Sequence, residues 1–395
     1  MRILQVIASL DPLSGGPSES IRTLTTAWQE LGHYVEIATL DDPKSPWFGS
    51  VTCSVHALGP GYLKYRYTPS FPRWLAANAQ RFDIVVVHGI YQYQAFASRR
   101  ALLRLGRPYV LFTHGALDPL FKRRYPLKHL KKWLYWPWGD YRVLRDAARV
   151  LFTTEDERLL ARQSFWLYRA KEAVVGYGTA EPPANVGDAQ VQAFMDAFPA
   201  LRDQRFFLFL SRLDEKKGCR LLIEAFTQVA EQDPDLLLVM AGPDSSGLQE
   251  DLNRLAHHHN IADRIIWTGM ISGQAKWGAF RAAEAFVLTS HSENFGVVVA
   301  ESLACGTPVL ISKRINIWRE IAEGSAGMVA DDTLEASIRM FKEWLALDTY
   351  SRAVMAAKAR QLFVDRFEIN TVGKNIAMEL EKVLAEVRLS NCPPP

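Results

Sequence analysis

Short apolar runs and amphipathic stretches alternate along almost the whole chain. The runs are rich in Val, Ile, Leu and Phe and end where Gly, His, Asp or Thr takes over, which predicts buried strands separated by helices. In the first half, strands are expected at 3–9, 34–40, 84–88, 109–113 and 150–153, with a helix over 18–31. The pattern then restarts, with strands at 206–210, 236–241, 265–268, 285–289 and 308–311 and helices over 221–231 and 337–347. Such alternation is the signature of α/β units on parallel sheets. The polar strand ends lie at the carboxyl edges, where these folds place their ligands.

The predicted fold class is therefore α/β, with two doubly wound parallel-sheet domains of comparable size. Residues 181–188 (EPPANVGD) are proline-rich, polar and without periodicity, and are the expected linker. They separate an expected first domain over 1–180 from a second over 188–369, and the terminal stretch 370–395, helical over 370–389, is expected to cross back to the first. A ligand common to both halves would occupy the cleft between them.

Composition narrows the functional classes. The chain has 395 residues, 48% hydrophobic and 23% charged, which excludes a disordered, collagen-like or disulfide-scaffold protein. Lys plus Arg number 46 against 43 acidic residues, a net charge of +3, against a dedicated nucleic-acid binder. No apolar run approaches the ~18 residues of a membrane span, and the opening MRILQVIASL reads as a first buried strand rather than a signal peptide. The four cysteines, Cys53, Cys219, Cys305 and Cys392, form no CxxC pair, so a reduced cytoplasmic setting is expected.

The most informative motif is SHSENFGVVVAESLACGTP at 290–308. Glu293 follows an expected strand, Asn294-Phe295-Gly296 should open a helix, and Glu301 lies two turns in, so the carboxylates sit ~10–12 Å apart. A nucleotide sugar laid along the helix start would meet Glu293 with its hydroxyls, the unpaired N–H groups with its pyrophosphate, and Glu301 with its ribose. The plainer alternative is a capping Glu293 and a solvated Glu301. Next comes SRLDEKKG at 211–218, where Arg212 and Lys217 emerge from a strand end and can grip a pyrophosphate, unless the loop is simply solvated. Ser14-Gly15-Gly16-Pro17 precedes the first helix and lets backbone approach a ligand, or forms a plain turn; it is not a GxGxxG fingerprint. His88 and His114 each end a strand before a glycine; His88 reads as structural, whereas His114 suits a sugar hydroxyl, and Asp118 is a candidate acceptor contact.

ENFGVVVAE followed by SLACGTPV, SRLDEKKG and the GGP loop resemble the retaining glycosyltransferases of family 4, which have the GT-B fold, over essentially the whole chain. The resemblance implies two Rossmann-like domains facing a central cleft. It implies that Glu293 holds donor-sugar hydroxyls and that the backbone of Asn294, Phe295 and Gly296, with Val297 in the same helix start, reaches sugar and phosphate. It further implies Glu301 on the ribose, Arg212 and Lys217 on the diphosphate, Gly15 and Gly16 near the phosphate, His114 beside the donor sugar and the Met270 backbone at the base. Two departures stand out: Gly176-Tyr177-Gly178 replaces the usual Pro-Asn-Gly at the domain junction, and 313–319 replaces a glycine-rich stretch before Glu320.

Neither candidate metal motif persuades. Asp233-Pro234-Asp235 reads as a helix-to-strand turn, and His257-His258-His259 point different ways around a helix, so no cofactor and no metal are expected. Residues 121–149 combine Lys122, Arg123, Arg124, Lys128, Lys131 and Lys132 with Trp133, Tyr135, Trp136 and Trp138. That mixture suits the headgroup zone of an anionic bilayer at the inner face of the plasma membrane, or else a helix pair with aromatics in the core and solvated cations.

The expected function is transfer of a sugar, with retention, from a nucleotide sugar (UDP-glucose or another UDP-hexose) to a hydroxyl of a saccharide or lipid-linked saccharide. The alternatives are a nucleotide-sugar epimerase or hydrolase on the same fold, which would consume donor without acceptor, and a non-catalytic nucleotide-sugar binder.

Overall fold

All the expected strands form, within two residues of their expected ends. They are β1 (Arg2–Ile7), β2 (Tyr34–Thr39), β4 (Ile84–His88), β5 (Tyr109–Phe112), β6 (Arg149–Phe152), β8 (Arg205–Leu210), β9 (Leu236–Ala241), β10 (Ile265–Gly269), β11 (Ala285–Leu288) and β12 (Val309–Ser312). Three more join them: β3 (Ser54–Ala57), β7 (Glu172–Val174) and β13 (Gly327–Ala330). The computed structural model describes residues 1–12, 16–49, 51–120, 122, 126–184 and 186–390.

The strands form two all-parallel sheets, ordered β3-β2-β1-β4-β5-β6-β7 and β10-β9-β8-β11-β12-β13. The three strands that the apolar pattern missed all lie at sheet edges. Edge strands are half-solvated and short, and β3 and β7 have no fully buried residue.

Each sheet belongs to its own compact unit, one of Met1–Gly178 plus the chain from Ile369 onward, the other of Thr179–Glu368. The division thus falls ahead of the segment 181–188 expected as linker. At Gly178 a side chain would lie 2.9 Å from the Ile369 Cα, so that glycine is packed into the first unit. Thr179 instead donates its N–H to the Phe367 carbonyl at 2.9 Å, and Glu181 pairs with Arg360 at 2.9 Å, both within the second.

In the first unit the two-residue period of the strands sorts the core. Ile3, Ile84, Val86 and Val110 pack on one face with Leu24 and Trp28 of the helix Gly16–Glu30 and with Val372, Ile376 and Leu380 of the C-terminal helix Ile369–Ser390. Leu4, Val6, Val85 and Val87 pack on the other with Phe71, Leu75, Trp136 and Val143. Trp28 Nε1 donates to the Gly373 carbonyl at 2.9 Å, and a Cβ on Gly373 would stand 3.2 Å from that of Ala27, so the glycine admits a close helix crossing. In the second unit Phe206 to Phe209 are wholly buried, as expected of a central parallel strand covered on both faces.

In both sheets the chain order reverses about one central pair, β1/β4 in the first and β8/β11 in the second. The loops leaving the carboxyl ends of such a pair diverge to opposite faces, which opens a crevice between them.

Candidate functional site

In the second unit the loops after β8 and β11 are stitched across this crevice. Thr289 Oγ1 donates to the Gly218 carbonyl at 3.0 Å, and the His291 N–H to the Lys216 carbonyl at 2.8 Å. Gly218 takes φ +70° at the start of the helix Cys219–Ala230, and a Cβ there would lie 2.1 Å from the Thr289 carbonyl oxygen. Only glycine permits that approach. Gly242 does the same after β9: at φ +143° its absent Cβ would fall 1.8 Å from the Ser211 carbonyl oxygen.

These contacts deliver Lys217 to Glu293, and the two side chains form an ion pair. Glu293 is further fixed through its backbone, whose N–H donates to the Arg314 carbonyl at 2.8 Å while its own carbonyl accepts from the Asn316 N–H at 3.2 Å. Gly296 (φ +76°) then opens the helix Val297–Ala304, starting where the motif predicted. Two helix N-termini, at Cys219 and Val297, thus begin on the loops that flank the β8/β11 switch point, each with unpaired N–H groups and the positive end of its dipole.

The remaining candidates in this unit take distinct positions. Arg212 is exposed and has no partner among the described residues. Glu301 is buried within the helix Val297–Ala304, and Lys276 of the helix Gly273–Ala282 donates to it at 2.6 Å. Motif spacing did not point to Lys276. Asn294 Oδ1 accepts from Asn316 Nδ2 at 3.4 Å. Val297 is half-buried, and the Phe295 ring is buried edge-on against Phe367, which leaves its backbone as the part able to meet a ligand. Met270 stands exposed beyond β10. Asp233 pairs with Arg205 at 2.8 Å at the amino edge of the sheet, so the Asp-Pro-Asp string is a turn far from the switch point. Among the described residues no group of three or more His, Cys, Asp or Glu side chains is arranged for a metal.

In the first unit, Gly15 lies outside the described residues. Gly16 begins the helix Gly16–Glu30, and its carbonyl accepts from the Tyr177 hydroxyl at 3.0 Å. The atypical Gly176-Tyr177-Gly178 junction therefore anchors the helix start that carries Gly16. Asp118 accepts from the Leu120 N–H at 2.8 Å, a turn contact.

His88 and His114, read separately in the sequence, are paired: His88 Nδ1 lies 3.0 Å from His114 Nε2, with the rings stacked at 5.2 Å. Burial lowers the pKa of both, that of His114 to about 4, so both rings are neutral near pH 7. One must then donate to the other. His88 Nε2 is buried without a hydrogen-bond partner among the described residues. A buried orphan N–H costs more than an orphan lone pair, so His88 carries its proton on Nδ1 and donates, and His114 holds its own on Nδ1, where no described residue accepts it. His88 is thus the residue that sets the His114 tautomer, a role invisible without the contact.

A second residue missed in the sequence is Glu157. It is buried and accepts from Thr113 Oγ1 at 2.8 Å, the Gly115 N–H at 2.6 Å, the Thr153 N–H at 2.8 Å and Thr153 Oγ1 at 2.6 Å. Those bonds brace the turn in which His114 (φ +49°) and Gly115 (φ +73°) both adopt left-handed conformations. Thr154-x-x-Glu157 is legible as a helix N-terminal capping signal, and the Thr154 side chain does accept from the Glu157 N–H. The Glu157 carboxylate, however, points to the strand ends.

Of the stretch 121–149, residues 121 and 123–125 lie outside the described residues. Trp136 belongs to the core, stacked on Phe165 at 3.9 Å, whereas Leu127, Leu130, Trp133, Leu134 and Trp138 are exposed. No described helix is long and apolar enough to cross a membrane.

Comparison with known proteins agrees with the two-sheet fold. The model of glycosyl transferases group 1 matches residues 191–362, and that of a glycosyl transferase 4-like domain matches residues 15–178. A D-inositol 3-phosphate glycosyltransferase of Frankia alni is 27% identical over 380 residues, covering 86% of this chain and 90% of the relative. The mannosylfructose-phosphate synthase of Agrobacterium fabrum is 32% identical over 197 residues, 46% of this chain, and the match spans only 43% of that relative. Among solved structures, Anabaena HepE in complex with UDP and glucose superposes with a TM-score of 0.73 at 17% identity, covering 96% of this chain and 99% of HepE. The sucrose-phosphate synthase of Thermosynechococcus elongatus gives 0.71 at 20% identity, covering 98% and 99%. With both units matched by glycosyltransferase models and a fold of the GT-B class, the chain belongs to the group 1, family 4-like glycosyltransferases.

Proposed function

We propose that the protein transfers a hexosyl group from a UDP-sugar, UDP-glucose foremost, to a hydroxyl of a saccharide or lipid-linked saccharide, with retention and without a metal ion. The observation that carries this proposal is the Lys217–Glu293 ion pair beside two helix N-termini at the β8/β11 switch point. A diphosphate placed there competes with Glu293 for the Lys217 ammonium and meets unpaired N–H groups. In the reaction, the bond from the anomeric carbon to the diphosphate oxygen breaks while the acceptor oxygen bonds to the same face. The acceptor proton passes to the departing phosphate. Lys217 and Arg212 offset the charge that grows on the leaving group, Glu293 orients sugar hydroxyls, Glu301 holds the ribose, and His114 donates from Nδ1 to a sugar oxygen.

The uridine donor is favoured by the likeness to HepE, crystallised with UDP-glucose. Thermal stabilisation by UDP, GDP, ADP and their sugars, followed by UDP release with and without saccharide acceptors, tests the proposal. Stabilisation by UDP and UDP-glucose with acceptor-dependent release is the expected result. Full-rate turnover without acceptor would instead indicate a hydrolase or epimerase, and binding without turnover on any acceptor a non-catalytic binder.

Peripheral contact with an anionic membrane is part of the same proposal. Leu127, Leu130 and Leu134 are exposed at helical spacing on Pro126–Tyr135, with exposed Trp133 and Trp138 and the exposed cations Lys122 and Lys131 nearby. The protein should co-sediment with vesicles containing anionic phosphatidylglycerol, and Leu127→Ser with Leu134→Ser should abolish it. Equal recovery with neutral vesicles would remove the electrostatic component.

A further inference from the structure

The first unit holds a cavity of about 340 Å³ lined by Tyr65, Tyr91, Lys131, Lys132 and Tyr135. Tyr65 follows β3, Tyr91 follows β4, and the helix Pro126–Tyr135 follows β5, so the cavity is built by connections that leave the carboxyl ends of three strands of one parallel sheet. That is the ligand-bearing edge of such sheets, and the volume is that of a small-molecule site.

Its walls are held in place. The Tyr65 and Tyr135 hydroxyls lie 2.9 Å apart, and the Tyr93 N–H donates to the Tyr65 carbonyl at 2.9 Å. A Cβ on Gly139 would fall 2.1 Å from the Tyr135 ring, so that glycine makes room for the tyrosine. Tyr91 adopts φ +69°, a strained conformation for a bulky residue. Asp140 maintains it: the residue is 2% exposed, Oδ1 accepts from the Tyr91 N–H at 3.1 Å, and Oδ2 has no hydrogen-bond partner among the described residues. Packing alone does not explain why a bulky side chain is kept strained by a buried, half-satisfied carboxylate.

The chemistry of the wall defines the occupant. Lys132 Nζ sits 3.8 Å over the Tyr91 ring, and its pKa is lowered mainly by burial, so its ammonium is poorly hydrated and gains from an anion. Lys131 is exposed and has no ion-pair partner among the described residues. Among the described residues, Asp140 is the carboxylate that acts on Lys132, one negative charge against two cations, which leaves the described wall net positive. The Tyr65–Tyr135 pair shares one hydrogen bond between two hydroxyls, so one O–H remains to donate outward. Aromatic faces take the C–H face of a sugar ring, and the ammonium groups take an oxyanion.

We propose that this cavity binds an anionic sugar unit, with its ring on the tyrosine faces and its phosphate or carboxylate on Lys131 and Lys132. As the subsite for an acceptor, the assignment rests on the glycosyl-transfer reading above; as a binding site it does not. Neither Lys131 nor Lys132 has a part in the donor machinery.

Titration calorimetry of the full chain with D-glucose 6-phosphate, D-glucuronate, D-glucose and inorganic phosphate tests it, with UDP titrated in parallel. At least one of the two anionic sugars should bind tenfold or more tighter than glucose and than phosphate, and which one does so identifies the anion. Lys131→Ala with Lys132→Ala should erase that margin while UDP affinity is unchanged. Should the double variant misfold, Lys131→Ala alone, at an exposed position, should still weaken the anionic sugars several-fold. Glucose binding as well as the anionic sugars would overturn the role of the lysines, and phosphate binding as well as the sugar phosphate would overturn the role of the tyrosines. No binding by the anionic sugars would overturn the site. Loss of the donor reading would appear separately, as absent UDP binding.

Discussion

Lys217 and Glu293, 76 residues apart in sequence, form an ion pair across the β8/β11 switch point. Each comes from a different recognisable motif, and each ends a loop whose backbone is tied to the other loop by the Thr289–Gly218 and His291–Lys216 hydrogen bonds. The pair joins the carboxylate proposed to bind the sugar to the cation proposed to meet the leaving group.

Lys217→Ala should lower kcat by roughly two to three orders of magnitude, about 3–4 kcal/mol of barrier, the scale for removing one preorganised charge-stabilising group. Both partners are only partly buried, so the thermal midpoint should move little. Steady-state UDP release beside a melting curve checks both, and near-normal kcat would refute the leaving-group role.

His88→Phe keeps an aromatic ring against Phe112, which His88 stacks on at 5.4 Å, but removes the donor that sets the His114 tautomer. Turnover should drop about tenfold, the cost of one hydrogen bond of ~1–1.5 kcal/mol. The ring-nitrogen shifts of His114 in ¹⁵N spectra should change from a single Nδ1–H form to a tautomer mixture. Unchanged shifts would show that His88 plays no such part.

Glu157→Gln should destabilise the first unit by about 2–3 kcal/mol, because an amide nitrogen would face donors that now meet a buried carboxylate. Urea unfolding followed by first-unit tryptophans checks this. Since the same bonds brace the turn at His114, kcat should also fall, whereas UDP affinity should not.

Asp140 titrates abnormally: burial is the main cause, and it pushes the carboxyl up from 3.8 to about 6. The folded chain thus binds this proton more tightly than the unfolded one, so as the pH falls from about 6 to about 4 this group adds up to about 3 kcal/mol to the stability of the first unit. Glu36, Asp146 and Glu172, whose carboxyls are held low, contribute in the opposite direction. Asp140→Asn should flatten that part of the profile. A wild-type profile no different from that of Asp140→Asn would refute the assignment.

Much of the architecture was legible from local pattern, for a physical reason. Central parallel strands such as β8 and β9 are covered on both faces, so their residues are uninterrupted apolar runs. The edge strands β3, β7 and β13 face water on part of their surface and carry no such mark. The helix Val297–Ala304 starts where Gly296 allows a left-handed residue, and that too is local.

Motif spacing singled out Arg212, Lys217, Glu293 and Glu301 as the candidates for chemistry, because they lie at recognisable intervals around strand ends. Their partners were decided only by tertiary structure. Lys276 reaches Glu301 from another helix, His88 meets His114 from the neighbouring strand, and Glu157 gathers Thr113, Gly115 and Thr153 from two strand ends. The tyrosine and lysine wall is assembled from connections after three different strands. Periodicity and spacing record how a chain covers its own backbone over a few residues. Which distant groups meet depends on strand order in the sheet, and strand order is set by the packing of whole layers.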